Sequence, residues 1–206
     1  MLALKHEDGG ATAQLGVRLL NPSTKIANDN KQEEVIKEVI LELADMGLLG
    51  WYEFYTMRSP GSVKGWKVDF VTNLVYSDEK GDRLVVIEPH SSFKEEDSEK
   101  IRRIRNAYGL FVILISKNEN APMLFSEGDP NKSVKFFDIY WQMPNHLDDE
   151  NRFREEKGRM KERIYSLIND ERIRMISMSD AQRMLLDRIN ISKNYENSLK
   201  ESVRRS

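Results

Sequence analysis

The stretch "LFVILIS" (110–116) carries no charge and shows no alternation of polar with apolar residues. A strand with one face in water alternates, so this one reads as the centre of a sheet covered on both faces. Such a sheet needs a substantial core. Apolar residues are 39% of the 206, enough for one full-sized domain with an appendage.

The flanking segments supply the partners of that strand. Residues 31–47 read as a helix, with Val35, Ile36, Val39, Ile40, Leu43 and Met46 on one face and Gly47 as the C-terminal cap. "WYEFYTM" (51–57) reads as a strand, followed by the Pro/Gly/Ser loop "RSPGSVKG". "WKVDFVTNLVYS" (66–77) and "RLVVIE" (83–88) read as a hairpin turned by "DEKGD". Ser92 with Glu95 forms a capping box for a helix reaching to about Tyr108, whose inner side carries Ile101, Ile104 and Tyr108. "VKFFDIYW" (134–141) is one further expected strand. Beyond Pro144 the pattern becomes helical, with a second capping box at Ser179 and Gln182. Three parts follow: an arm over 1–30, an α/β core over 31–143, and a helical extension over 144–206.

Composition removes several chemistries. There is no cysteine, which excludes disulfides, thiolate zinc sites and a cysteine nucleophile. Three histidines (His6, His90, His146) are few for a multi-histidine metal site. A metal would therefore be held by oxygen, which favours Mg²⁺ or Mn²⁺. No apolar run reaches the length of a spanning helix, and the N-terminus lacks a signal-peptide pattern. A soluble cytoplasmic protein without a membrane partner is the expectation. Residues 151–206 hold 14 Lys/Arg against 9 Asp/Glu, a balance of +5, while residues 1–150 balance at −7. Either the tail meets an anionic polymer or this is an ordinary solvated helix surface.

Two carboxylates stand where the strand pattern makes them costly. Along 66–77, Lys67, Asp69 and Val71 share one face, with Val68 and Phe70 on the other. In the next strand Val86, Glu88 and His90 share a face. A hairpin register that joins these faces brings Asp69 to Glu88. A divalent cation offsets their repulsion and burial, and can activate water against a phosphate. Lys67 or His90 could orient that water or stabilise the transition state. Taken singly, Asp69 also reads as an exposed strand residue and Glu88 as a strand-end residue.

The element order helix-strand-strand-strand-helix-strand, with Val68-Asp69 and Glu88-Pro89-His90 at these places, resembles the PD-(D/E)xK nuclease superfamily. "RSPGSVKGWKVDFV…RLVVIEPHSS" is similar to the archaeal Holliday-junction resolvases over roughly residues 31–116. A further likeness is to small nucleases of archaeal spindle-shaped viruses, which would place the chain in a host cytoplasm. The resemblance implies a restriction-endonuclease-like mixed sheet flanked by helices, and Mg²⁺-dependent hydrolysis of branched or junction DNA by a homodimer. It implies Asp69 and Glu88 as metal ligands, with the Pro89 carbonyl and a first-helix glutamate, Glu33 or Glu34, beside them. Gln32 would hydrogen-bond within the site. The mobile loop serine of the family would be Ser59 or Ser62, with Arg58 and Lys64 in the same DNA-facing loop. Two positions depart from the family pattern. Val68 replaces the proline, and His90 replaces the lysine, so fixed positive charge is lost unless Lys67 restores it.

Basic residues offer a path for phosphates. Lys100, Arg102, Arg103 and Arg105 lie on the helix next to the site, where they form either a phosphate-facing strip or a solvated face balanced by Glu95, Glu96 and Glu99. Arg152, Arg154, Arg159, Arg163, Arg172 and Arg174 could form a second strip. Ile164, Leu167, Ile168, Met184, Leu185 and Ile189 could instead serve dimerisation. The other readings are a non-catalytic DNA-binding or assembly protein on this fold, and a nuclease acting on RNA or in defence.

Overall fold

The computed structural model describes residues 31–56, 66–90, 95–116, 137–144 and 147–205. The expected N-terminal arm, the loop bearing Arg58, Ser59, Ser62 and Lys64, and the capping residue Ser92 lie outside them. The described elements run α1 (Lys31–Asp45), β1 (Trp51–Thr56), β2 (Trp66–Asp78), β3 (Gly81–His90), α2 (Glu95–Asn106), β4 (Phe111–Ser116), β5 (Ile139–Gln142), α3 (Glu150–Ile168), β6 (Ile173–Met175) and α4 (Met178–Arg205). None of these helices is long and apolar enough to cross a membrane.

The fold is α/β, a mixed sheet flanked by helices. Its main path is β1-β2-β3-β4-β5, and β6 pairs with β2. β1, β3 and β6 each run antiparallel to β2, whereas β3, β4 and β5 are mutually parallel. β4, the run "FVILIS", is buried at every residue, because apolar side chains from both flanking layers meet it. Its odd-numbered Phe111, Ile113 and Ile115 join α1 and α3, and its even-numbered Val112 and Leu114 join α2 and α4.

Local chemistry accounts for the element ends. Gly47 adopts φ +70°, and its N–H donates to Ala44 O while that of Leu48 donates to Leu43 O. This left-handed cap turns the chain out of α1. Met46, expected on the buried face, is exposed because the helix has already ended at Asp45. The hairpin between β2 and β3 pairs Asp78 with Gly81 at φ +97°, and Arg83 reaches back to Asp78.

Three expectations are corrected. The strand expected over 134–141 occupies only Ile139–Gln142 among the described residues. Asp138 precedes it, with one carboxylate oxygen accepting the Val112 N–H and the other accepting from Arg83. The region after Pro144 is not all helix, because Ile173–Met175 forms β6 on the edge of β2. The cap of α4 is Ser177, not Ser179: its Oγ accepts the N–H of Asp180 and donates to that carboxylate.

The segment from 144 onward is built into the sheet layers. Ile164 and Leu167 pack with α1, and Leu185 and Ile189 pack with α2. The apolar stripes considered for dimerisation are thus spent within the chain. Asn73 ties this segment to the sheet edge: its Oδ1 accepts the Gly50 N–H at 2.7 Å, and its Nδ2 donates to Ile176 O at 2.8 Å.

Candidate active site at the strand ends

A β-bulge places the first carboxylate. Tyr52 pairs with Val71 and Phe54 with Val68, so Asp69 and Phe70 together oppose the single residue Glu53. The extra residue rotates β2 locally. Phe70 packs with α1, while Val68 and Val71 both join the α2 face, so the strict alternation expected for Val68 and Phe70 is broken. The Asp69 N–H donates to Glu88 Oε1 at 3.1 Å. The hairpin register thus brings Asp69 beside Glu88, and the contact between them is from backbone amide to carboxylate.

Glu88 is fully buried between Ile87 and Pro89 near the end of β3, opposite Leu114 of β4. A lone carboxylate there would be too costly to keep ionised. Lys100, itself buried on α2, places its Nζ 2.5 Å from Glu88 Oε2 and 3.9 Å from Asp69 Oδ2. Burial on its own would raise the Glu88 carboxyl, but the Lys100 ammonium and then His90 outweigh it and hold Glu88 below the ordinary carboxylate range. Burial would likewise lower Lys100, and the charges of Glu88 and Asp69 hold it above the ordinary lysine range instead. One ammonium thus serves two carboxylates, and Glu88 stays charged.

His90 completes a row of polar groups. Its Nε2 lies 3.3 Å from Glu88 Oε2, and its Nδ1 lies 3.8 Å from Asp97 Oδ1 on the first turn of α2. The order across the site is Asp97, His90, Glu88, Lys100, Asp69.

The remaining expected residues are dispersed. Lys67 lies on β2 two positions before Asp69, paired with Tyr55 of β1. Glu33 and Glu34 are half-buried on α1, which packs on the sheet face away from α2, and Glu34 pairs with Lys31. Gln32 is buried and directs its amide to Pro144 O. Arg102 is exposed and Arg103 half-exposed, but Arg105 is committed to Asp138 through both Nε and Nη2.

Lys100 is the residue whose role sequence reasoning missed. The sequence places it with Arg102, Arg103 and Arg105 on either a phosphate-facing strip or a solvated face, yet its ammonium points inward to Glu88. A signal was present: Lys100 precedes Ile101 and lies four positions before Ile104, beside the apolar stripe of its helix.

The donor set suits a hard cation only in part. Asp69 and Glu88 offer oxygen ligands, but among the described residues no three His, Asp or Glu side chains form a ready metal site. Comparison with protein families, curated proteins and solved structures found no match to this chain. The functional reading rests on the geometry and on the sequence resemblance.

Proposed function

We propose that this protein is a metal-dependent endonuclease that hydrolyses DNA phosphodiesters, selective for branched or junction DNA, on a restriction-endonuclease-like core. The observation that carries this reading is the sharing of Lys100 by Asp69 and the fully buried Glu88 at a strand end. What sets this cluster apart from the partly exposed Lys157–Glu38–Glu42 contact is its burial. Two carboxylates around one ammonium form a cluster with a surplus negative charge, which a cation can relieve.

Asp69 and Glu88 would hold Mg²⁺ or Mn²⁺, with the Pro89 carbonyl as a further oxygen. The ion would supply Lewis-acid stabilisation of charge on the phosphate. Lys100 takes the part for which the resemblance supplies a lysine at the position of His90. Its ammonium is held charged by its neighbours and can orient water or stabilise negative charge developing on phosphate oxygens. His90, between Glu88 and Asp97, approaches the same Glu88 oxygen that Lys100 contacts, while the other oxygen accepts the Asp69 N–H. Paired cuts across a junction call for two such sites, so a homodimer belongs to the proposal.

A second reading, a non-catalytic DNA-binding or assembly protein, is favoured by one fact. Both Glu88 oxygens already accept hydrogen bonds from protein groups, from Asp69 N and Lys100 Nζ. Incubating branched DNA, linear DNA and RNA with the wild type, Asp69→Asn and Glu88→Gln in Mg²⁺ and Mn²⁺ separates the readings. The nuclease reading expects cutting of branched DNA and a loss of at least about 100-fold in both variants. Cutting that survives Asp69→Asn refutes the site, and junction binding without cutting establishes the second reading.

A further inference from the structure

The six tail arginines do not form one strip. Arg172 precedes β6 and Arg174 lies within it, near the hairpin end of the sheet, where Arg172 is paired with Asp170 and Arg174 with Asp82. Arg159 and Arg163 lie on α3 beside the last residues of β5, near the opposite end of the sheet. The Arg159 guanidinium donates to Gln142 O at 3.2 Å and to the buried Glu156 carboxylate at 2.7 Å. Arg163, one turn further on, lies over the Trp141 ring at 5.8 Å. Among the described residues its Nη1 is enclosed and has no hydrogen-bond partner.

That arrangement is adjacent to the candidate active site. His90, Ser116 and Gln142 are paired in register across β3, β4 and β5. Two strand spacings, about 10 Å, separate the first from the last. This corresponds to about three base-pair steps of duplex. Trp141 packs with the α1 and α3 layer, so Arg163 lies round the β5 edge from the face that carries Lys100.

We propose that Arg163, seated on Trp141 and backed by Arg159, is a DNA-phosphate subsite, so that a strand engaged at Asp69 and Glu88 crosses the strand ends and turns over the β5 edge. The inference rests on the nuclease reading for the direction of the strand, but its chemistry is binding. A guanidinium with no ion-pair partner among the described residues, lying over an aromatic ring, can turn its N–H groups to a phosphate that reaches it. Burial and the like charge of Arg159 pull the Arg163 guanidinium below the ordinary arginine range, and a bound anion would relieve both effects.

Fluorescence anisotropy with a labelled four-way junction, a linear duplex and a single-stranded RNA, across a range of salt concentrations and without divalent metal, tests it. Arg163→Gln should weaken junction binding about 5- to 10-fold and reduce the slope of log K against log salt by about one. Arg163→Lys should recover most of the slope, because the charge returns. Arg172→Gln should leave the slope unchanged. Thermal unfolding of each variant checks that binding is compared between folded proteins. The proposal is overturned by an Arg163→Gln slope equal to wild type, by an equal loss in Arg172→Gln, by a preference for RNA, or by wild-type protein that binds no DNA at low salt. Failure of the nuclease reading has a separate signature, intact binding with this salt signature but no cutting in Mg²⁺ or Mn²⁺.

Discussion

Lys100 Nζ lies 2.5 Å from Glu88 Oε2, although one residue sits on a helix and the other on a strand beneath it. The pairing decides how both ionise. It also makes the centre of the candidate site part of the structural core, because both groups are buried. Removing Lys100 alone leaves the buried Glu88 carboxylate without its ammonium. Lys100→Met should therefore destabilise the protein by about 3 kcal/mol or more in urea unfolding. Adding Glu88→Gln should restore part of that loss. Equal, additive losses in the two single variants would show that the pair is not coupled.

Arg105, which the sequence places on either a phosphate-facing strip or a solvated face, is tied to Asp138. Asp138 also accepts from Arg83 and from the Val112 amide, so it gathers the ends of β3, α2 and β4. Arg105→Gln should lower the melting temperature, with a cost of about 1 kcal/mol, and should leave the salt dependence of DNA binding unaltered. Asp138→Asn should cost more, since two guanidinium groups lose their shared carboxylate.

The layers of the fold were legible because their causes are local. The run at 110–116, the apolar stripe of α1 and the glycines at 47 and 81 each state their own geometry. Asp69 and Glu88 were legible for a similar reason, since carboxylates inside strand patterns are anomalous. Lys100 was not, because its meaning depends on which strand its helix crosses. The bulge at Asp69 was also hidden, as it arises from the register of β1 against β2 and not from any residue type. β6 is only three residues long, and it is held by its pairing with Leu74–Tyr76 and, just beyond its end, by the Asn73 bond to Ile176 O, neither of which its own residues announce.

Asn73 should accordingly matter more than an ordinary polar strand residue. Its side chain both accepts from Gly50 N and donates to Ile176 O, joining the chain before β1 to the chain before α4. Asn73→Asp keeps the acceptor but sets a carboxylate against the Ile176 carbonyl. Asn73→Ala leaves both backbone groups without their partner. Each should cost about 1–3 kcal/mol in chemical unfolding. Hydrogen exchange should also quicken first around β6. Unchanged exchange there would contradict the clamp.

The contact of α1 with α3 should carry a pH dependence of known sign. Hydrogen bonds from Lys157 and Lys161 hold the Glu42 carboxyl below its ordinary value of 4.5. Lys157 is raised above its ordinary 10.5 by Glu38 and Glu42. The Glu42 contribution is present above pH 4.5 and disappears as pH falls through its folded value. The Lys157 contribution is present below pH 10.5 and disappears as pH rises through its folded value. These side chains are partly exposed, so each contribution should stay under about 1 kcal/mol and shrink in salt. Glu42→Gln should flatten the acid limb of stability against pH, and an unchanged limb would rule this contribution out.

His90 and Lys100 offer opposite predictions for the candidate chemistry. The resemblance assigns the lysine role to position 90, yet the ammonium that reaches both carboxylates comes from position 100. If Lys100 supplies the fixed positive charge, Lys100→Gln should reduce DNA cleavage by about 100-fold or more. His90→Asn, which keeps a polar group near Glu88, should reduce it by about 10-fold or less. The reverse order would return the role to His90. Because Lys100→Gln also disturbs stability, both variants should be assayed well below their melting temperatures. Their metal affinity should be read separately, from the Mn²⁺ concentration giving half-maximal cutting. A positioning role for His90 would shift that concentration, while a loss at Lys100 would persist at saturating Mn²⁺.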